Sequence, residues 1–295
     1  MFEGVICALI TPFRDGRVDG PAMSRLIDYQ IANGVRGIVP CGTTGESATL
    51  THDEHKEVIN LCLKYVDGRV PVIAGTGSNS TAESIHLTRF AKSAGANAAL
   101  LITPYYNKPT QSGLVAHYRA IAEAVDLPLI LYNVPGRTGL DMQAATVAQL
   151  AQIGNVVGLK EATANMERAS TIHRTCGNNI TLLSGDDATF LPFLAVGGKG
   201  VISVSANIAP AHMVAIYDHW TQGRPMEALA AHETLLPLNQ HLFCETNPIP
   251  VKAAAHMLGF CGPEIRAPLT PMSPVHEEPM RRILEALGLP RQAAS

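Results

Sequence analysis

Short apolar runs alternate with longer amphipathic stretches along most of the chain. The apolar runs are continuous and bounded by Gly, Pro, Asn or Asp, which is typical of parallel strands buried on both faces. They predict eight strands, at residues 5–13, 37–42, 70–75, 98–106, 128–134, 156–162, 181–185 and 200–205. The stretches between them have helical periodicity and predict helices at residues 21–33, 51–66, 80–94, 112–125, 141–152, 166–176, 188–196 and 210–222.

Two of these helices begin with the pattern of a capping box, Thr51-x-x-Glu54 and Ser80-x-x-Glu83, in which the hydroxyl and the acid each satisfy a free backbone N–H. Eight strand–helix units in succession favour an α/β fold of the (β/α)8 TIM-barrel type over a doubly wound sheet.

Three further helical patterns follow the last predicted unit, at residues 225–243, 248–258 and 277–287. No linker or low-complexity stretch sets them apart. We therefore expect residues 1–223 to form the barrel and residues 224–295 to form an appended helical bundle packed on it.

Composition excludes several classes of function. The chain has 295 residues and a net charge of −3, with basic residues scattered, so nothing favours nucleic acid or an anionic membrane surface. No apolar run approaches the roughly 18 residues that a membrane span needs, and the N-terminus lacks the pattern of a signal peptide. We expect a cytoplasmic protein. The six cysteines occur singly, without a CxxC or zinc-type spacing, so neither a disulfide framework nor a metal site is predicted.

Lys160 interrupts the predicted strand 156–162 near its end. A buried ammonium is costly, and desolvation favours the neutral amine, which attacks ketones to form a Schiff base. The alternative interpretation is a strand-end lysine whose head reaches water along its apolar stem.

Polar residues collect at the ends of five predicted strands. In a (β/α)8 barrel these ends form one rim, where the active site lies. Around Lys160 this rim offers three kinds of chemistry: turn amides and threonine hydroxyls for a small carboxylate, phenols for proton transfer, and a guanidinium for a second carboxylate. The residues that supply them are Gly42, Thr43, Thr44, Gly45, Tyr106, Tyr132 and Arg137. Together they suggest a class I aldolase-type lyase.

Three stretches carry a family resemblance, VPCGTTGE at 39–46, YNVPGRT at 132–138 and GLKE at 158–161. They resemble the signature stretches of the 4-hydroxy-tetrahydrodipicolinate synthase (dihydrodipicolinate synthase) family, and the likeness extends over nearly the whole chain. The wider group comprises pyruvate-dependent class I aldolases and includes N-acetylneuraminate lyase.

The resemblance implies a reaction and a set of roles. Pyruvate would condense with L-aspartate 4-semialdehyde to give 4-hydroxy-tetrahydrodipicolinate, the first committed step towards lysine and diaminopimelate. No external cofactor is implied, because the reactive amine belongs to the protein. The resemblance also implies a homotetramer built as a dimer of dimers. Lys160 would form the imine, and Tyr106 would reach into the neighbouring subunit's site. The remaining roles are a proton relay through Thr43, Tyr106 and Tyr132, carboxylate binding by Thr44 and Arg137, and a pocket wall at Gly185 and Ile202.

Two alternatives stay open at this point. Sialic acid lyases resemble the chain around Lys160, but they usually lack the Gly-Arg-Thr that includes Arg137 and carry Ser-Thr in place of Thr43-Thr44. A related pyruvate aldolase acting on sialic acid or a ketodeoxy sugar acid is therefore the second hypothesis. A non-catalytic binding barrel is the third, and the intact set of reactive residues argues against it.

The resemblance also implies a second site, an interface cleft that binds L-lysine as a feedback inhibitor. The matching residues are Ser47, Ala48, His52, His55, Asn79, Glu83 and Tyr105. Glu83 has a rival assignment in the capping box behind Ser80. His52 and His55 on their own suggest a metal pair, but two histidines are too few ligands. The Gly75-Thr76-Gly77 turn lacks the third glycine of a dinucleotide site, so no nucleotide is expected.

Overall fold

Eight parallel strands form a closed barrel in the computed structural model, which describes residues 2–289. The barrel strands are β1 Gly4–Ala8, β4 Ile38–Val39, β5 Ile73–Gly75, β6 Ala98–Ile102, β7 Leu129–Asn133, β8 Val156–Glu161, β9 Thr181–Ser184 and β10 Gly200–Ser203. Their order is β4-β1-β10-β9-β8-β7-β6-β5, and a bridge between Ile38 and Val72 joins the two ends. The predicted TIM barrel is confirmed.

The barrel interior is filled by side chains from alternate positions of these strands. They form one apolar cluster that includes Ile6, Val39, Ile73, Leu100, Ile130, Tyr132, Leu183 and Ile202. Bulky branched side chains are what such a barrel needs, because its centre is a packed core and not a pore. Ile202, expected in the pocket wall, is 1% exposed and belongs to this core.

One short hairpin departs from the predicted strands. The first strand ends at Ala8, and the residues beyond it form β2 Phe13–Arg14 and β3 Arg17–Val18, paired antiparallel. Asp15 and Gly16 both have positive φ at the turn, as the two central residues of a type I′ hairpin require. The predicted strand 5–13 is therefore too long, and the Asp15-Gly16 turn beyond it belongs to a separate hairpin.

Helices surround the barrel and end close to the predicted positions. Among residues 2–289 they are α1 Gly20–Ala32, α2 His52–Val66, α3 Thr81–Ala94, α4 Gln111–Ala124, α5 Pro135–Thr138, α6 Ala144–Leu150, α7 Met166–Cys176, α8 Phe190–Ala195, α9 Pro210–Thr221, α10 Pro225–His241, α11 Ile249–Met257 and α12 Glu277–Ala286. The capping box at Thr51 and Glu54 is present. At α3, the Ser80 hydroxyl accepts from the backbone N–H of Glu83, but the Glu83 carboxylate makes no return bond, so that capping box is only half formed.

The C-terminal helices pack on the barrel through apolar side chains. Leu235, Leu238, Val251 and Ala254 are fully buried in the same hydrophobic cluster as residues of β1, α1 and α9. These contacts hold the C-terminal helices against the barrel, while the division of the chain after residue 223 stays a prediction. Within residues 2–289 no helix combines the length and the apolar character that crossing a membrane requires.

Candidate active site

Lys160 lies on β8, in register with Tyr132 on β7 and Leu183 on β9. Its side chain is buried, with 6% exposure, so the interpretation as a solvated strand-end lysine is wrong. The Nζ atom lies 4.2 Å from the centre of the Tyr132 ring, and within residues 2–289 no carboxylate forms an ion pair with it. A buried amine next to a phenol and without an anionic partner is suited to nucleophilic attack.

Gly185 leaves the space that the Lys160 side chain occupies. A Cβ atom at this position would lie 3.1 Å from Lys160 Cε and 2.6 Å from Ala162 Cβ. Any larger residue at position 185 would therefore push against the Lys160 side chain. Gly185, which is predicted to line the pocket, lies beside Lys160. It leaves room for the Lys160 side chain because it has no side chain of its own.

The turn after β4 adopts a strained conformation. Cys41 and Glu46, at its two ends, both have positive φ, which is uncommon outside glycine and concentrates at functional sites. Within residues 2–289 the backbone N–H groups of Thr43 and Thr44 donate no hydrogen bond to protein atoms. Adjacent unpaired N–H groups in a turn form a concave site for an anion, as the sequence predicts here.

Asn247 ties this turn to Arg137. Its side-chain Nδ2 donates to Thr44 Oγ1 over 3.0 Å, and its backbone carbonyl accepts from Arg137 Nη2 over 3.0 Å. Asn247 is buried, whereas Arg137 is exposed on the short helix α5. The two predicted carboxylate-binding residues are thus positioned by one residue of the C-terminal segment.

A cavity of about 520 Å³ lies between the turn and the C-terminal segment. It brings together nine predicted residues from both proposed sites, Thr43, Tyr132, Arg137, Ser47, Ala48, His52, His55, Glu83 and Tyr105. Six others do not line it, namely Lys160, Thr44, Gly185, Ile202, Tyr106 and Asn79. Tyr132 lines the cavity, and the centre of its ring lies 4.2 Å from the Lys160 amine.

Tyr106 stands apart from the rest of the predicted relay. It is 89% exposed, has a φ of +72° and follows β6 in a loop. No hydrogen bond within residues 2–289 joins its phenol to Thr43 or Tyr132. A positive φ at a residue other than glycine concentrates at functional sites, so the backbone of Tyr106 marks this loop as a candidate contact region.

Glu83 lies at the centre of the part of the cavity where the sequence predicts binding of L-lysine. Its carboxylate lies 3.0 Å from His52 Nε2 and accepts a short hydrogen bond from the Ser78 hydroxyl. Because the capping box is only half formed, this carboxylate faces the cavity and not the helix end. Asn79, which does not line the cavity, donates to the Tyr105 carbonyl over 3.2 Å.

His55 does not form a metal pair with His52. His55 is buried, its Nε2 lies 2.7 Å from the Gly75 carbonyl oxygen, and its burial lowers its pKa. His52 is exposed and faces Glu83. The two imidazole rings therefore have different partners, and the ring of His55 supports the strand β5.

Comparison with known proteins identifies the family to which this chain belongs. The sequence profile of the dihydrodipicolinate synthetase family matches residues 1–287. This chain belongs to that family. It is 57% identical over 289 residues to the 4-hydroxy-tetrahydrodipicolinate synthase of Magnetococcus marinus, covering 98% of this chain and 99% of that protein.

Solved structures of family members agree with the fold. The crystal structure of dihydrodipicolinate synthase from Aquifex aeolicus matches with a TM-score of 0.97 and 47% identity, over 99% of this chain and 100% of that one. The enzyme from Cyanidioschyzon merolae, solved with lysine bound, matches with a TM-score of 0.95 and 43% identity, over 97% and 98% of the two chains.

The sequence analysis did not identify the residues whose hydrogen bonds and ion pairs support the candidate active-site residues. Glu161 is buried next to Lys160 and pairs with Arg168 on α7, with 2.9 Å between Nε and Oε2. The Asn133 amide also points to the Glu161 carboxylate and to Asp141. Only the position of Glu161 beside the lysine was a signal. Arg168 and Asn247 carry no local pattern that separates them from ordinary helix and loop residues.

Proposed function

We propose that this chain is a 4-hydroxy-tetrahydrodipicolinate synthase, which condenses pyruvate with L-aspartate 4-semialdehyde. Family membership and a relative of that name at 57% identity support this assignment. The structural observation that carries it is the buried Lys160 amine, unpaired with acid and packed on the Tyr132 ring at the C-terminal rim of the barrel.

The first step forms an imine. The Lys160 amine attacks the ketone carbon of pyruvate, and loss of water leaves a protonated Schiff base. The positive nitrogen draws electrons from the neighbouring methyl group, which loses a proton to give an enamine. The enamine carbon then adds to the aldehyde of aspartate semialdehyde and forms the new carbon–carbon bond. Cyclisation through the substrate's own amine releases the lysine.

Two anion sites orient the substrates. The unpaired N–H groups and hydroxyls of Thr43 and Thr44 are placed to bind the pyruvate carboxylate. Arg137, at the mouth of the same cavity, binds the carboxylate of the second substrate. This guanidinium favours a short substrate with a carboxylate over a polyhydroxylated sugar acid, and so favours the synthase over the sialic acid or ketodeoxy sugar acid alternative.

Proton transfer needs a second copy of the chain. Thr43 and Tyr132 line the cavity, while Tyr106 projects away from it. We assign Tyr106 to the neighbouring subunit's relay, which requires at least a dimer, and propose the homotetramer implied by the family.

L-lysine is the proposed effector at the Glu83 side of the cavity. A cationic amino acid needs acceptors, and Glu83 supplies a carboxylate between His52 and Ser78. Ser47 and Ala48 follow the Thr43–Thr44 turn in sequence and line the same cavity. A ligand that contacts them is therefore placed to shift the turn that binds pyruvate. The relative solved with lysine bound supports this assignment.

The direct test is pyruvate-dependent consumption of aspartate semialdehyde, with and without millimolar L-lysine. Turnover suppressed by lysine supports both assignments. Turnover that lysine does not change would support the synthase assignment and contradict the assignment of L-lysine as the effector. A folded protein without synthase turnover that cleaves sialic acid or a ketodeoxy sugar acid to pyruvate would overturn the proposal.

A further inference from the structure

Three metal-ligating side chains meet in the C-terminal segment, outside the cavity. They are His241 at the end of α10, Cys244 in the turn that follows, and His276 in the 3-10 turn Pro274–His276 before α12. One potential ligand atom from each lies within 4.8 Å of the other two. All three are half-buried, so the cluster is accessible to an ion from solvent.

Their chemistry suits zinc. Imidazole nitrogen and thiolate sulfur are the preferred ligands of Zn²⁺, at about 2.0 and 2.3 Å from the metal. Tetrahedral ligands at those distances lie about 3.3 to 3.8 Å from one another. Closure by roughly 1 Å therefore brings the His241–Cys244–His276 cluster to ligand geometry, which side-chain rotation around the turn can supply.

A hydrogen bond already prepares His241 as a ligand. Its Nε2 atom lies 3.0 Å from the backbone carbonyl oxygen of His276. A carbonyl only accepts, so Nε2 carries the proton and Nδ1 of the neutral ring keeps a lone pair. Zinc-bound histidines are oriented in this way, with the second ring nitrogen donating to a carbonyl or carboxylate.

Glu245 holds the two ligand-bearing segments together. Its Oε1 atom accepts from the Ser273 backbone N–H over 3.1 Å and lies 3.8 Å from His276 Nε2. The segments 241–245 and 273–276 are thus joined before any ion binds. The Glu245 carboxylate is near enough either to orient the His276 ring or to serve as a further metal ligand. Water fills any coordination position of the metal that remains open.

We propose that His241, Cys244 and His276 bind a zinc-class divalent metal ion, with Glu245 in support. The ion takes no part in the condensation. It crosslinks α10 to the start of α12 and fixes the turn that leads, two residues after Glu245, to Asn247. Because Asn247 holds Thr44 and Arg137, the bound metal restrains the anion sites from outside the cavity.

Metal binding is measured on the metal-free full chain by titration with Zn²⁺ against a chromophoric chelator. We expect one ion per chain with a Kd of about 1 µM or tighter. Cys244→Ser and His276→Ala should each weaken binding by roughly 100-fold, since each removes a direct ligand. The matched control is His232→Ala on the same helix, about 14 Å from His241 along its axis, which should bind as the unaltered chain does.

A second measurement needs no variant and so does not depend on folding of the mutants. Among the six cysteines Cys244 alone is not buried. Alkylation followed by mass spectrometry should show Zn²⁺ protecting Cys244, and Co²⁺ should give thiolate-to-metal absorption. Absence of one-to-one binding, equal affinity in Cys244→Ser and His276→Ala, or unprotected Cys244 at saturating Zn²⁺ would each overturn the proposal.

Discussion

Glu46 Oε1 lies 2.5 Å from Lys252 Nζ, and both side chains are almost completely buried. Glu46 ends the turn that carries Thr43 and Thr44, and Lys252 belongs to α11. The second carboxylate oxygen accepts from the backbone N–H of Arg266 over 2.9 Å. Burial lowers the pKa of Lys252, and the neighbouring Glu46 charge partly opposes that shift. The pair attaches the Thr43–Thr44 turn to the C-terminal segment.

Removing one partner of this pair should destabilise the protein strongly. Lys252→Met leaves the Glu46 carboxylate buried without its cation, at a cost of about 3 to 5 kcal/mol in the free energy of unfolding. The double variant Glu46→Gln with Lys252→Met should lose much less, because no uncompensated charge remains. Urea unfolding of both variants checks this. Equal destabilisation by the single and double changes would show that the charge pairing is not what matters.

The proposed role of Tyr106 predicts recovery of activity on mixing two inactive chains. Tyr106→Phe should lower kcat by about 100-fold or more, as loss of a proton-transfer group does. Lys160→Ala should abolish turnover. In mixed oligomers, a Tyr106→Phe subunit keeps Lys160 and receives Tyr106 from its Lys160→Ala neighbour, so one kind of site is complete. The measurement is turnover after dissociation and reassembly of the mixture.

Its control is a mixture of Lys160→Ala and Tyr132→Phe chains. Both of these residues act within one subunit, so no complete site forms and activity should stay absent. Recovery in the control, or no recovery in the test mixture despite mixed assembly, would contradict the assignment of Tyr106 to a neighbour.

Lysine binding should depend on the Glu83 carboxylate. Glu83→Ala removes a charged acceptor worth about 1.5 to 3 kcal/mol, and so should weaken lysine binding by roughly 10- to 100-fold. Glu57→Ala, an exposed acid on α2, is the matched control. Calorimetric titration with L-lysine and inhibition of turnover give the two readouts. Unchanged affinity in Glu83→Ala would move the effector site elsewhere.

His117 makes stability depend on pH. Burial lowers its pKa to about 4, and its Nδ1 atom lies 2.9 Å from the Thr81 hydroxyl. In the unfolded chain its pKa is about 6.5, so between these values the unfolded state binds a proton that the folded state does not. The stabilising contribution is complete above pH 6.5 and is lost as the pH falls towards 4, by about 3 kcal/mol.

His117→Gln removes this titration. The free energy of unfolding should therefore fall less steeply for the variant than for the unaltered chain between pH 6.5 and 4, and the two should differ by a constant above pH 7. Denaturant unfolding across this range tests the prediction. Parallel curves throughout would show that His117 ionises equally in both states.

The barrel could be predicted because each of its strands is continuously apolar and each is followed by a helical pattern. Such local signals do not report where a strand stops pairing, and so the predicted strand 98–106 runs past Ile102, where β6 ends. The Asp15-Gly16 pair lies just beyond the predicted first strand and is a usable sequence signal for a hairpin that the prediction does not include.

The parts of the candidate site that could not be predicted from the sequence depend on contacts between residues far apart in the chain. Lys160, Thr43 and Arg137 occur in recognisable stretches, whereas Asn247 reaches Thr44 from 203 residues away. The proposed metal ligands His241 and Cys244 lie three residues apart in sequence, whereas His276 comes from a separate turn, so only the folded chain brings the three together. Glu83 was placed in a capping box by its spacing, and only the packed structure shows its carboxylate directed to His52 instead.

Reductive trapping of pyruvate tests the central claim most directly. The chain is incubated with pyruvate, reduced with borohydride and digested, and the peptides are analysed by mass spectrometry. We predict one carboxyethyl group per chain, on Lys160, and none in Lys160→Ala or without pyruvate. Modification of another lysine, or the absence of any adduct in a chain that still turns over, would contradict the account.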